Sequence, residues 1–341
     1  MIDFRSGASC RKIISMDTKI RPEEILKLAQ GFMESRILHA AAELNLFTML
    51  YKAPMRATEV ADEIRGDARA AAALLDAVSA MGLLTKEGQT YRCESSMLSK
   101  GTPDSVLPMI LHMSHLWGRW SHLADIVRGL PVKDEFDFSR DDEELRAFIG
   151  AMHSIGAPLA KQIVSSINPG KARALLDVGG GSGTYTIAFL RAVPAMRATL
   201  FDLPQVIEMA REQLNSEGLL ESVTLVAGDY CRDELPAGHD LVLLSAIIHS
   251  NSLEENLELY RKSSRALVPG GRILIRDHVM EPDRTRPRDG AIFAINMLVG
   301  TSGGGCYTYQ EIEESLVQAG FKDIRLIHRG EHMDPVIEAF K

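Results

Sequence analysis

The sequence predicts an α/β chain in which a doubly wound, mostly parallel seven-stranded sheet follows an N-terminal α-helical unit of winged-helix type. Three observations carry this expectation. From Ala172 onward, short apolar runs alternate with amphipathic helical segments, the pattern of strands joined by crossover helices. The first of those runs ends in a glycine cluster, Asp177-Val178-Gly179-Gly180-Gly181-Ser182-Gly183, that opens the next helix. Residues 22–100 read as short helices closed by a hairpin.

The elements follow in order. Ile25, Leu26, Leu28 and Ala29, then Phe32, Met33, Ile37 and Leu38, place a helix from Pro22, with a second over 39–50. Thr58 can cap a short helix ending near Ile64. The alanine-rich stretch Ala68–Met81 is a strong helix former, stopped by Gly82. Leu83–Lys86, a Glu87-Gly88 turn and Thr90–Arg92 form the hairpin. Longer helices follow over 104–130 and 141–166, separated by an acidic surface loop at Lys133–Glu144. Strands are expected at 174–178, 198–201, 222–227, 240–245 and 272–279. A terminal pair, 324–328 and 335–340, comes after a helix over 308–319. The chain thus divides into a flexible N-terminus (1–21), a winged-helix unit (22–102), a helical linker that lines a pocket (103–168) and a sheet domain (169–341).

The chain has 341 residues, 45% of them apolar and 25% charged, an ordinary balance for a globular protein. A net charge of −8 offers no general attraction to nucleic acid or anionic membrane. Residues 25–100 carry nine basic and nine acidic groups, and the candidate recognition helix Ala68–Met81 offers only Arg69 against Asp76, so the winged helix is not expected to bind phosphate. No apolar run reaches the roughly 20 residues that span a bilayer. The N-terminus lacks an apolar leader segment, and a cytoplasmic location is expected. Cys10, Cys93, Cys231 and Cys306 lie far apart, which signals neither a disulfide framework nor a metal site. His112 and His115 share a helix face with His122 further along, and are expected at a pocket roof or a subunit surface near Trp117 and Trp120.

The glycine cluster is the sharpest signal. Glycines tolerate positive φ and let a ligand approach the backbone. Thr184 and Thr186 occupy the places where the last glycine of a dinucleotide pattern would fall, so a nucleotide-like ligand without a pyrophosphate is favoured over NAD. Asp202, in Phe201-Asp202-Leu203-Pro204, ends the second strand, where a carboxylate can accept both ribose hydroxyls; it can equally cap the helix entered at Pro204. Asp229, in Gly228-Asp229-Tyr230, follows the third strand and can reach an adenine amino group, with Tyr230 packing on the base; a simple turn is the alternative. These sites lie at consecutive strand ends, where open α/β sheets bind ligands.

On these residues, together with Ala266-Leu267-Val268-Pro269-Gly270-Gly271 and Ala319-Gly320-Phe321, the chain resembles the class I methyltransferases. More narrowly, it resembles the caffeic-acid and acetylserotonin type of O-methyltransferase over about residues 22–341. The resemblance implies a Rossmann-like sheet that binds S-adenosylmethionine and releases S-adenosylhomocysteine, without a metal. It implies that Gly179, Gly180, Gly181, Asp202, Leu203, Asp229 and Tyr230 hold the cofactor and that Ser245 adds a contact after the fourth strand. It implies that the N-terminal domain interlocks two subunits into a homodimer.

The resemblance also places the catalytic base at His249, at the end of the run Leu241–Ile248. A phenol near pKa 10 needs a base at pH 7, and histidine suits that task. The alternative is a histidine satisfying a strand-end carbonyl. Here His249 is followed by Ser250-Asn251-Ser252-Leu253-Glu254, whereas relatives carry Asp-Trp-Ser-Asp-Glu. Asp277, where relatives have a Glu, would orient the imidazole, or else pair with Arg276 or Arg272. Cys306 stands where relatives are usually acidic, and a neutral thiol cannot stabilise imidazolium as a carboxylate does. Phe148 and Met152 match positions that clamp substrate, and Asn296 and Met297 lie on another pocket-lining segment; ordinary helix core is the alternative. Ala246 replaces a tryptophan of several relatives, which implies a roomier pocket for a small aromatic or polycyclic acceptor. The acceptor atom stays open between oxygen, carbon, nitrogen and sulfur. A same-fold reaction without methyl transfer, and a DNA-binding regulator that senses the cofactor, are the other readings.

Overall fold

The computed structural model describes residues 20–102, 104–132, 142–330 and 332–341. The expected flexible N-terminus up to residue 19, and residues 133–141 of the expected acidic loop, lie outside these.

The N-terminal unit is built from α1 (Pro22–Glu43), α2 (Leu46–Lys52), β1 (Met55–Arg56), α3 (Ala57–Ile64), α4 (Ala68–Ala80), β2 (Thr85–Glu87) and β3 (Thr90–Arg92). Pro22 and the acids Glu23 and Glu24 suit the first turn of α1. The expected break near residue 38 falls instead at Leu44–Asn45, where Asn45 turns left-handed (φ 54°) and starts α2. Thr58 does not cap α3; the N-cap is Arg56, whose backbone N–H donates to Glu59 Oε2 at 2.7 Å while its guanidinium donates to Oε1 at 2.9 Å. The wing pairs in the order β1-β3-β2, and its turn sits one residue later than expected, with Glu87 still in the strand. Phe47, Leu50, Val60, Leu75 and Tyr91 close a separate core. Ile25, Leu26, Leu28, Phe32 and Met33 of α1 stay exposed.

The single helix expected over 104–130 is two, α5 (Leu107–Trp120) and α6 (Leu123–Val127), split where Ser121 Oγ bonds the Trp117 carbonyl and His122 N–H turns to Arg119 O. Helix α7 (Asp142–Ser166) then leads to the sheet. No described helix is long and apolar enough to cross a membrane.

The sheet domain alternates β4 (Ala174–Val178), α8 (Thr184–Ala192), β5 (Arg197–Asp202), α9 (Pro204–Ser216), β6 (Val223–Ala227), β7 (His239–Ser245), α10 (Leu253–Ala266) and β8 (Leu267–Arg276). There follow β9 (Val279–Met280), α11 (Arg288–Gly300), β10 (Tyr307–Thr308), α12 (Tyr309–Gln318), β11 (Lys322–His328) and β12 (Val336–Phe340). Seven strands lie in the order β11-β12-β8-β7-β4-β5-β6, all running the same way except β12, which is antiparallel to both its neighbours. Their alternating residues feed a core on each face, one with Tyr185 and Phe189 under α7 and α8, the other with Tyr260 and Leu316 under α10 and α12. The fifth strand is displaced from its expected bounds. It begins at Leu267, runs through Pro269-Gly270-Gly271, and ends at Arg276, with Val279–Met280 forming a separate strand paired to β10. Between the pairs His239↔Leu267 and Leu241↔Arg272, one residue of β7 faces four of β8, so an irregularity absorbs the Pro-Gly-Gly segment.

Candidate active site

The C-terminal edge of the sheet presents, strand by strand from β6 to β8, Asp229, Asp202, the glycine loop, Ser245 and Arg276. Gly179, Gly181 and Gly183 all have positive φ (65°, 57° and 84°), so the loop needs these glycines. A Cβ on Gly179 would meet Ile247 Cδ1 at 2.3 Å, and one on Gly180 would meet Leu200 Cγ at 2.7 Å. Gly181 faces open space and donates its N–H to Asp202 Oδ2 at 2.8 Å. Leu203 N–H reaches the other Asp202 oxygen at 2.7 Å, and the cap of α9 is Leu203 rather than Asp202. Burial pushes the Asp202 carboxyl up, against these two N–H groups. Each oxygen keeps a further lone pair for a hydroxyl donor.

Asp229 accepts from Cys231 N–H at 2.9 Å and lies 3.4 Å from Arg232 Nε, so part of its capacity serves its own turn. Tyr230 is half-buried; its hydroxyl donates to Asn251 Oδ1 at 3.4 Å and its carbonyl accepts from Lys262 Nζ at 2.8 Å. Ser245 Oγ accepts from Arg276 Nη1 at 2.8 Å. Ala246 is left-handed (φ 58°), a conformation that costs a β-carbon residue on the order of 1 kcal/mol.

Asp177, at the base of the loop, is buried; Thr186 Oγ1 donates to its Oδ2 at 2.6 Å while Oδ1 has no partner among the described residues. Burial raises its carboxyl from an ordinary 3.8 to about 7. A raised acid favours folding fully below its unfolded value, and that advantage is lost as pH climbs through the folded value. Wild type should therefore lose stability relative to Asp177→Asn between pH 4 and pH 8, with a ceiling of roughly 4 kcal/mol. Urea midpoints of the ligand-free proteins check this; parallel pH profiles would refute it.

Beyond β7, a 3-10 turn at Ile248–Ser250 carries His249. Its Nδ1 lies 2.9 Å from both Asp277 oxygens, and its backbone N–H is 3.4 Å from Oδ2. Both side chains are buried. Burial raises the Asp277 carboxyl, but the charge and hydrogen bond of His249, the His278 N–H and the charge of Arg276 bring it below its ordinary range. A carboxylate held ionised fixes the proton on Nδ1 and leaves the lone pair on Nε2. Neither arginine is ion-paired with Asp277: Arg272 pairs with Glu338, and Arg276 turns to Ser245. Phe293 of α11 packs edge-on against His249 at 4.9 Å, with His278 on it at 5.1 Å. Asn256 Nδ2 donates to the Ile248 carbonyl at 2.8 Å and Gly305 N–H to the His249 carbonyl at 2.8 Å, fixing the turn from both sides. Cys306 is buried beside this group; burial and then the Asp277 charge push its thiol up to about 12, so it is a neutral thiol at pH 7.

Phe148 on α7 lies 5.0 Å from the His112 ring and packs against the cluster of Leu145, Ile149 and Val206, and Met152 is 36% exposed on the same helix. Asn296 Oδ1 accepts from Trp120 Nε1 at 2.9 Å, and Met297, next to it, is buried. The structure thus brings His249 and Asp277 into contact, and likewise the glycine loop and Asp202. Phe148 is tied to α5 and Asn296 to the end of α5.

Sequence reasoning missed Phe293, Arg276, Tyr185, His153 and Gly304. His153 Nδ1 lies 2.8 Å from Thr184 Oγ1 and links α7 to the glycine loop. A Cβ on Gly304 would meet the His249 carbonyl oxygen at 2.3 Å. The run Gly303-Gly304-Gly305 was the one available hint of that contact.

Open backbone at Gly181 and a hydroxyl-accepting carboxylate at Asp202 fit an adenosyl ligand, and Arg276 Nε, which has no acceptor among the described residues, fits a polar tail. Similarities to known proteins agree with this. A family model described as an O-methyltransferase domain matches residues 120–322, and one described as an O-methyltransferase dimerisation domain matches 26–98. The chain is 31% identical over 315 residues to a 3-hydroxy-5-methyl-1-naphthoate 3-O-methyltransferase of Streptomyces sahachiroi, covering 90% of this chain and 91% of that protein. The structure of PigF with SAH superposes with a TM-score of 0.86 at 26% identity, covering 94% of this chain and all of that one. Human N-acetylserotonin methyltransferase in complex with SAM gives 0.79 at 28% identity, covering 96% and 99%.

Proposed function

The chain belongs to the O-methyltransferase family, and on that premise we propose that it methylates a hydroxyl of a flat, polycyclic aromatic metabolite, using S-adenosylmethionine and His249 as general base. The observation that carries the base assignment is the buried His249–Asp277 pair at the sheet edge next to the glycine loop. When bound, the cofactor supplies an electrophilic methyl group on a sulfonium. The chain's own residues do the rest. Gly181 and Asp202 orient the adenosyl part, and Asp229 and Tyr230 flank its far end. Asp277 keeps the imidazole in the tautomer whose Nε2 can take the acceptor's proton, and its carboxylate stabilises the imidazolium that forms. Phe293 and Ile248 keep that exchange dry. Phe148, Met152, Asn296 and Met297 are proposed to shape the acceptor pocket. The naphthoate substrate named for the Streptomyces relative supports a fused-ring phenol as acceptor class.

Two copies are proposed to pair through the exposed apolar row of α1, in keeping with the dimerisation model matched there. The test is transfer of labelled methyl from S-adenosylmethionine to a panel of hydroxylated naphthoates and larger fused-ring phenols. One S-adenosylhomocysteine is expected per methyl ether formed. Label on carbon or nitrogen, or product without S-adenosylhomocysteine, would overturn the reading. Asp202→Ala is expected to raise the Kd for S-adenosylhomocysteine by roughly 10- to 100-fold, as expected for losing hydrogen bonds to a charged group. Calorimetry that finds unchanged affinity would remove Asp202 from the site.

A further inference from the structure

Arg276 is a buried cation that forms no ion pair with any described residue, although its charge acts on Asp277. Its residue is 6% exposed, and no carboxylate oxygen of a described residue lies within ion-pair distance of it. Nη1 donates to Ser245 Oγ at 2.8 Å, the guanidinium sits 5.0 Å over the Tyr185 ring, and Nε has no acceptor among the described residues. Asp277, the next residue, turns both oxygens to His249. Burying an arginine is costly unless an anion meets it, and its planar fork is matched to a carboxylate. A guanidinium so held can receive a planar anion through its fork.

Its place on the sheet says which anion. The adenosyl acids belong to β6 and β5, the glycine loop to β4, and Ser245 and Arg276 to β7 and β8. A ligand anchored at Asp202 and passing over Gly181 continues along that edge toward β7. The Arg276 side chain reaches back over Ser245 to Tyr185, the second residue of α8 and two past the end of the loop. Tyr185 Oη is also buried and lies beside Ser245. Resting on the methyltransferase reading above, we infer that Arg276, locked by Ser245 and Tyr185, is the positioning residue that receives the carboxylate of the cofactor's amino-acid end. The sulfonium is thereby held in register with His249. Because substrate and product cofactor share that carboxylate, Arg276 acts on both equally.

The experiment is calorimetry with S-adenosylhomocysteine and with its decarboxylated analogue, which keeps the amine. Wild type is expected to prefer the carboxylate-bearing ligand by roughly 10- to 100-fold. Arg276→Gln should lose that preference, binding the analogue as wild type does and S-adenosylhomocysteine more weakly by the same factor. Arg276→Lys, which keeps the charge without the fork, should fall between them. Ser245→Ala, which removes one contact that aims the guanidinium, should weaken only the carboxylate-bearing ligand and by less. Equal weakening of both ligands in Arg276→Gln and in Ser245→Ala, or undiminished preference in Arg276→Gln, overturns the inference. A wild-type protein that binds neither ligand overturns the cofactor reading instead.

Discussion

His249→Ala is expected to lower kcat by about 10²- to 10⁴-fold while leaving cofactor affinity within a factor of about two, the range over which a positioned general base acts. The argument rests on geometry. The imidazole is buried, its Nδ1 is held at 2.9 Å by both oxygens of Asp277, and Phe293 closes one edge of the ring. On the proposed mechanism, deleting it leaves the acceptor hydroxyl with no group to take its proton. In the variant, turnover is expected to depend on prior ionisation of the free phenol. Asp277→Asn should also lose activity, by roughly 10²-fold, because an amide can offer its N–H to Nδ1 and select the wrong tautomer. Undiminished turnover of His249→Ala on an accepted acceptor removes the base assignment.

The second large effect is expected from a residue outside the proposed cofactor-binding and catalytic groups. Gly304→Ala would put its Cβ 2.3 Å from the His249 carbonyl oxygen, 2.6 Å from Thr301 Oγ1 and 3.0 Å from the Ser250 carbonyl carbon. Two of those three are backbone atoms, so the 301–305 segment or the turn that carries His249 must shift. A displacement of about 1 Å at a catalytic group can cost about 10²-fold in rate. The expected pattern is a large fall in kcat, cofactor affinity close to wild type, and a stability loss of about 1–3 kcal/mol. Gly305→Ala is the control: a Cβ there meets nothing within 4 Å, and its N–H still bonds the His249 carbonyl. Steady-state kinetics on the pair checks this, and equal behaviour of the two variants would show that crowding at Gly304 does not reach His249.

What the sequence made legible was local. The strand that ends in Asp177-Val178 and the glycines that follow it form one continuous signal. The pairing of β4 with β5 then puts Asp202 beside Gly181. What stayed hidden was set by distant partners. Asn45 reads as an ordinary helix residue, yet tertiary packing of Ala41, Ala42 and Phe47 in one core favours a left-handed break there. Pro269-Gly270-Gly271 reads as a turn before a strand, but β7 pairs on both sides of it and carries it inside β8. Gly304 and His249 are 55 residues apart, and no local pattern announces that their backbones touch. Arg276 looked like a partner for Asp277 because it is adjacent in sequence; in the fold it turns to Ser245 instead.

The chain contains two tryptophans, and α5 carries both. Trp117 stands edge-on to His39 of α1 at 6.0 Å, while the indole of Trp120 is hydrogen-bonded to Asn296 of α11. Every photon of indole emission therefore originates on one helix wedged between the N-terminal unit and α11. The protein comes with a built-in optical gauge for that junction, which can be watched without any label.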